Sequence, residues 1–196
     1  QFGSLVSEEF YHGYSYFTTS FACVSNSYLI YILIVTHVNH VGPYRWLLLS
    51  FAVVDVLVSL VHFAVIPGIH VVEFGYIFWG YRLLHLTTAQ GIWISLVFVL
   101  LFYQTFVLLA FHYIYRFVML CRPPWLAWIE RNPWRNWLAI AGLTDIIFVG
   151  GIFASVLYGF APSKMSRAAF APVLQQAYGI DLLADDEPGY LGIVYW

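Results

Sequence analysis

Charge is what this sequence lacks most. Only 9% of its 196 residues are Asp, Glu, Lys or Arg, against roughly one quarter in soluble domains. Hydrophobic residues make up 62%, and the mean hydropathy is +0.79. Because the apolar residues fall in blocks long enough to cross a bilayer, the sequence predicts a membrane protein.

Basic residues, cysteines and catalytic motifs are also scarce. Eight Lys and Arg against ten Asp and Glu give a net charge of −2, which excludes the basic footprint of a nucleic-acid-binding protein. Two distant cysteines, Cys23 and Cys121, argue against a structural disulfide. Because no G-x-S-x-G, H-E-x-x-H or phosphate-binding glycine loop occurs, we expect no enzyme. The chain opens at Gln1 without a basic leader, so we expect no signal peptide and a fragment.

The nearly charge-free runs predict an all-α membrane protein with four spans. A helix needs about 20 apolar residues to cross the bilayer, and the candidate spans are 14–36, 46–71, 88–115 and 137–160. Pro67 is expected to kink or end the second helix, and the third is expected to start near Thr88. Residues 161–189, broken by prolines, predict an external loop, and residues 190–196 predict the start of a fifth span.

Basic residues near the span ends set the expected orientation. One side of the membrane receives the larger group, namely Arg45, Arg116, Arg122, Arg131 and Arg135. The opposite side receives Arg82, Lys164 and Arg167. Because basic residues accumulate in cytoplasmic loops, the larger group is predicted inside and the N-terminus outside.

Several short sequence motifs follow one another along the chain. They are N-S-Y-L-I-Y from Asn26, G-P-Y-R-W-L-L-L-S-F-A over 42–52, L-L-A-F-H-Y-I-Y-R-F over 108–117, C-R-P over 121–123, Y-G-I-D over 178–181 and Y-L-G-I-V-Y-W over 190–196. Their order and spacing resemble the nematode serpentine seven-transmembrane chemoreceptors of the Str group, which are G-protein-coupled receptors. The resemblance implies a partial seven-helix bundle that lacks helices five to seven. It further implies a small odorant-like ligand, a heterotrimeric G-protein partner, and the plasma membrane of sensory neurons, at the cilium.

The same resemblance makes the end of the third helix the switch and coupling site. It assigns this role to Tyr115, Arg116, Cys121, Arg122 and Pro123. Arg116 and Tyr115 also fit an interfacial anchor, since Arg and Tyr gather at span ends. The arginines and tryptophans that follow suit contact with anionic lipid headgroups, and a juxtamembrane cysteine suits palmitoylation.

Four polar residues inside the spans are predicted to pack against neighbouring helices: Asn26, Asp55, His112 and Asp145. Asp55 lies ten residues after Arg45, or about 15 Å along a helix, and therefore near mid-membrane. A hydrogen bond from Asp55 to Asn26, Ser50 or Ser59 is the favoured interpretation. A proton or cation site is the alternative, and with it a transporter that uses Asp55 and Asp145 as a coupling-ion pair.

Seven histidines raise the question of a metal site. His62 lies about 25 Å, and His112 about 6 Å, from the cytoplasmic end of its helix, so the two cannot share one iron. His37 and His40 form an isolated H-x-x-H. We therefore expect no metal and no cofactor. His62, Gln90 and Trp93, which offer polar tips on apolar walls in the outer halves of the helices, are the candidate ligand pocket.

Overall fold

The computed structural model describes residues 7–36, 44–121, 123–183 and 188–195. This part of the chain is mostly helical and has six α-helices, three short strands and one 3-10 turn at Tyr81–Leu83. The elements are α1 (Glu8–Val35), α2 (Tyr44–Val65), β1 (Pro67–Val72), β2 (Gly75–Gly80), α3 (Thr88–Cys121), α4 (Pro123–Arg131), α5 (Pro133–Gly159), α6 (Lys164–Tyr178) and β3 (Leu191–Val194).

Four helices are long and apolar enough to cross a membrane, which confirms the predicted number of spans. Their apolar stretches are Glu9–Val35, Tyr44–Val65, Thr88–Cys121 and Ala139–Gly159. The third helix begins at Thr88 as predicted but continues past 115 to Cys121, and α5 begins at Pro133 rather than at 137. Both helices are longer than the roughly 20 residues that a span needs, so their ends can project beyond the lipid.

The prediction that the second span reaches residue 71 is wrong. Helix α2 ends at Val65, and Pro67 begins β1. Proline has no backbone N–H and disfavours helical geometry at the residue before it. Ile66, the residue between the helix and the proline, has a φ of 47°, which lies in the left-handed region and turns the chain out of the helix. Its carbonyl accepts a hydrogen bond from the backbone N–H of Tyr81, so the chain leaves the helix directly into a hairpin.

The chain divides into two compact units, and the first comprises residues 1–19, 61–99 and 153–196. Its described part holds a three-stranded antiparallel sheet in the order β1-β2-β3, with Ile69 opposite Phe78 and Tyr76 opposite Ile193. Residues 191–194, which were expected to begin a fifth span, form strand β3. A short apolar run has no decisive period of its own, and pairing with β2 makes it a strand.

Residues 161–189 also differ from the expected irregular loop, because they contain helix α6. Ser163 caps its start through reciprocal hydrogen bonds with Ser166, and Gly179, at φ 69°, ends it. Its buried side packs against the sheet in one hydrophobic core, whose buried members are Ile77, Trp79, Phe170, Ala171, Leu174, Ile180, Leu182 and Tyr190. We call β1–β3, α6 and residues 179–183 and 188–190 the sheet module.

The second unit comprises residues 20–60 and 100–152. Its helices expose large apolar side chains, such as Leu120 and Ile146, at 77% and 74%, which suits contact with lipid. Helix α4 is amphipathic, with Trp125 and Trp128 exposed and Ile129 buried. Exposed tryptophans on a short helix beside a span suit the headgroup region of a bilayer.

Candidate functional site

Arg116 lies in the last turns of α3 and is tied to the first residue of α2. Its Nη2 atom donates a hydrogen bond of 3.1 Å to the Tyr44 hydroxyl oxygen. The guanidinium also lies 5.8 Å from the centre of the Tyr44 ring. Because Arg116 is otherwise exposed, the direction of its side chain depends on this tyrosine.

His112 forms a second hydrogen bond with the hydroxyl group of Tyr44. Its Nδ1 atom is 2.8 Å from the Tyr44 hydroxyl. Since that oxygen accepts from Arg116, its proton is available for Nδ1, which places the proton of the neutral imidazole on Nε2. The Tyr44 ring also stacks on Tyr115 at 5.3 Å and 24°. The four side chains thus form one network between α2 and α3, which we call the Tyr44 network.

A groove of about 260 Å³ opens beside the Tyr44 network. Its walls are mostly apolar. The lining residues are Tyr44, Leu48, Phe51, Leu109, His112, Tyr113 and Arg116. Such a groove suits an apolar side chain of a partner, or an apolar molecule, that carries a polar group within reach of the Arg116 guanidinium.

The predicted coupling residues are distributed along the end of α3. Tyr115 is buried at 4% exposure beside the exposed Arg116. Cys121 is the last residue of α3 and is exposed as a free thiol. Pro123 is the first residue of α4. Arg122 lies outside the described residues, as do His37 and His40.

Two of the predicted intramembrane polar residues have partners on another helix. Gln104 on α3 donates from Nε2 to Asp145 Oδ1 on α5 at 3.1 Å. His112 contacts Tyr44, as described above. Interhelical bonds of this kind stabilise membrane bundles because the alternative is an unsatisfied polar group in hydrocarbon. Gln104 was not among the candidates, since a lone glutamine in a span gives no signal of its partner.

Two of the three candidate partners of Asp55 donate hydrogen bonds within their own helices. Asn26 donates to the carbonyl of Ala22 on its own helix at 3.1 Å. Ser50 donates to a carbonyl of its own helix at 2.9 Å. Both side chains are close enough to the preceding turn to bond there.

Metal ligands do not gather in the described part of the chain. Across residues 7–36, 44–121, 123–183 and 188–195, no group of three or more His, Cys, Asp or Glu side chains is placed to hold an ion. Asp145, one of the two carboxyl groups that the transporter alternative would use to bind a coupling ion, accepts a hydrogen bond from the Gln104 amide. The geometry therefore favours a packing role for this carboxyl group.

The predicted pocket residue His62 bonds to α1. Its Nδ1 atom lies 3.1 Å from the Thr19 hydroxyl and 3.5 Å from the Ser15 hydroxyl. Both hydroxyl-bearing residues are buried. The contacts join α1 to the end of α2 and give His62 a structural role in the first unit.

The other two predicted pocket residues, Gln90 and Trp93, lie on the first turns of α3. Gln90 caps the helix, since its Oε1 accepts from the Thr87 N–H and its own N–H donates to the Thr87 hydroxyl, both at 3.4 Å. This pair is a capping box. Trp93 is 53% exposed, and its ring lies 6.4 Å from that of Phe153 on α5. Of the three predicted pocket residues, Trp93 therefore has an exposed aromatic ring.

Arg167 is a buried polar residue that the sequence did not predict to have a structural role, because it was considered only among the basic residues that set the orientation. It is 8% exposed and lies at the centre of the sheet module. Its Nη1 donates to the carbonyls of Leu182 and Pro188, and its Nη2 donates to the Thr88 hydroxyl. A helical reading of residues 164–178 would have found it, since Arg167 shares one face with Phe170 and Leu174.

The model of the family described as serpentine type 7TM GPCR chemoreceptor Str matches residues 11–196. The chain belongs to this family. Neither the curated proteins nor the solved structures contain a match. The receptor is therefore a multi-pass membrane protein of a chemoreceptor family, and the H-Y-I-Y-R word of the sequence is the end of α3 that carries the Tyr44 network.

Proposed function

We propose that this receptor detects a small, largely apolar molecule and signals to a heterotrimeric G protein through Arg116. Membership of the chemoreceptor family supports the general role. The observation that carries the residue assignment is the contact between Arg116 and Tyr44 beside an open groove. An exposed guanidinium held by one hydroxyl can exchange that partner for acceptors on a docked protein.

The ligand would act by favouring one packing of the helices over another. A ligand shifts such an equilibrium only by its difference in affinity between the two states. On the ligand side, Trp93 offers the exposed aromatic surface, because the polar atoms of His62 and Gln90 already bond to Thr19 and Thr87. We therefore place the ligand contact at Trp93 and the adjoining first turns of α3.

The chain supplies, in this proposal, the first four spans of a seven-span receptor in the plasma membrane of nematode sensory cilia, with its N-terminus outside. The support is that the family is named for seven spans, whereas four helices of the described chain are long enough to span. Sequencing the mRNA beyond the codon for Trp196 tests this. A stop codon directly after it would refute the seven-span proposal.

The coupling role is tested by replacing Arg116 in the seven-span receptor. Receptors with Arg116→Ala, Arg116→Lys or the distant control Lys164→Ala are expressed in reporter cells with a broadly coupling G-protein α-subunit. We expect Arg116→Ala to abolish signalling at unchanged surface expression, and Arg116→Lys to retain part of it because a charge remains. Full signalling by Arg116→Ala would refute the assignment.

A further inference from the structure

Arg167 joins three segments that are distant in sequence. It belongs to α6, and its guanidinium reaches Leu182 and Pro188 on the loop after that helix, and Thr88 at the start of α3. The distances are 3.2 Å and 3.4 Å from Nη1 to the two carbonyl oxygens and 3.3 Å from Nη2 to the Thr88 hydroxyl. The planar fork of the guanidinium matches this use, since it presents several donors in fixed directions.

Two glycines allow the loop to lie directly on α3. A Cβ atom on Gly91 would be 2.9 Å from the Gly189 Cα, and one on Gly189 would be 2.6 Å from the Thr88 carbonyl oxygen. Such distances exclude any side chain at either position without movement of the backbone. Residues 188–190 are therefore in backbone contact with the first turn of α3, beside the Arg167 bonds.

Tyr190 packs in the interior next to this contact. It is 0% exposed, its hydroxyl lies 2.7 Å from the Ser166 hydroxyl, and the Arg167 guanidinium lies 5.4 Å from its ring. Burial raises the pKa of the Tyr190 phenol, an effect that the Ser166 hydrogen bond and the Arg167 charge partly oppose. The phenol is therefore neutral at physiological pH, and the contact does not depend on its ionisation.

A disulfide cannot hold this contact. The only cysteines in the sequence, Cys23 and Cys121, lie in α1 and at the end of α3 and are free. The sheet module itself contains no cysteine. Whatever fixes residues 188–190 on α3 must therefore be noncovalent.

We propose that Arg167 is the positioning residue that fastens residues 188–190 onto the first turn of α3, in place of a covalent cross-link. The Arg167 bonds and the backbone contact of Gly189 with Thr88, Gly91 and Ile92 make residues 188–190 a fixed part of the surface at the start of α3. The fastening itself does not depend on G-protein signalling, so it can be tested separately from the proposed function.

Limited proteolysis of the detergent-purified chain tests the fastening. Chymotrypsin should cut after the exposed Leu183, which is 66% exposed, but not after the buried Tyr190. In Arg167→Met, we expect cleavage after Tyr190 to become at least about tenfold faster, while cleavage after Leu183 keeps its rate. Lys164→Met, at the exposed first residue of the same helix, is the matched control and should leave both rates unchanged.

Two further variants separate fastening from general folding. Arg167→Lys keeps the charge but offers one nitrogen instead of a fork, so it should resemble Arg167→Met. Thr88→Val removes the side-chain acceptor of Arg167 on α3 and should accelerate cleavage after Tyr190 by a smaller factor. This variant still tests the proposal if Arg167→Met does not fold. Wild-type protection should also survive a reducing agent. Unchanged protection of Tyr190 in Arg167→Met or in Thr88→Val, or its loss on reduction, would overturn the proposal.

Discussion

Replacing Tyr44 by phenylalanine gives the most informative perturbation of the coupling site. The change removes the hydroxyl that accepts from Arg116 and contacts His112. It keeps the ring that stacks on Tyr115 and lies beside the guanidinium. If Arg116 must leave Tyr44 to contact a G protein, the free energy needed to break its hydrogen bond with Tyr44 is absent in the variant.

The size of the effect follows from one hydrogen bond. A protein hydrogen bond contributes about 0.5–1.5 kcal/mol net. Because Arg116 is exposed, water competes for its donors, and we take the lower part of that range, about 0.5–1 kcal/mol. At about 1.4 kcal/mol per tenfold change in an equilibrium constant, this corresponds to an increase of roughly two- to fivefold in the fraction with Arg116 released.

Basal G-protein signalling at matched surface expression measures this release without any ligand. Tyr44→Phe should raise it roughly two- to fivefold. Tyr103→Phe, a half-exposed tyrosine earlier on α3, is the matched control and should change nothing. Basal signalling that is unchanged or lower in Tyr44→Phe would show that the hydroxyl does not restrain Arg116, and would refute the reasoning.

Two other substitutions test the helix contacts and the ligand side. Gln104→Leu should lower the free energy of unfolding in detergent by about 0.6 kcal/mol, and by no more than about 1.7 kcal/mol, because Asp145 loses its interhelical partner. The Thr105 hydroxyl bonds within its own helix, so the control Thr105→Val should not change the stability. Equal thermal midpoints for Gln104→Leu and the wild type would argue against the contact. Trp93→Ala should change the responses to a panel of small alcohols, ketones and esters more than Trp46→Ala does, at equal surface expression. Identical dose responses would remove Trp93 from the ligand site.

The four spans could be predicted because their cause is local. Long runs without charge have one stable solution in lipid, a helix that satisfies its own backbone. The start of α3 was also readable, since Thr87 and Gln90 form a capping signal at the correct spacing. The end of α2 was expected near Pro67, but the strand after it depends on pairing with β2, which no local signal specifies.

The sheet module and its polar centre could not be predicted in the same way. Arg167 was weighed as a charge in a loop, because the prolines of residues 161–189 suggested irregular structure. In the structure, Pro172 lies inside α6, and the helix is held by the packing of Phe170 and Leu174 on the sheet. Its burial thus follows from tertiary contacts, which outweigh local propensity.

Nucleotide exchange on a purified heterotrimeric G protein is the most direct test of the central claim. Membranes carrying the seven-span receptor are mixed with the G protein, and the rate of GTP-analogue uptake is measured for the wild type, Tyr44→Phe and Arg116→Ala. The account predicts acceleration by the wild type, a further increase with Tyr44→Phe, and no acceleration with Arg116→Ala. Equal acceleration by all three receptors would contradict it.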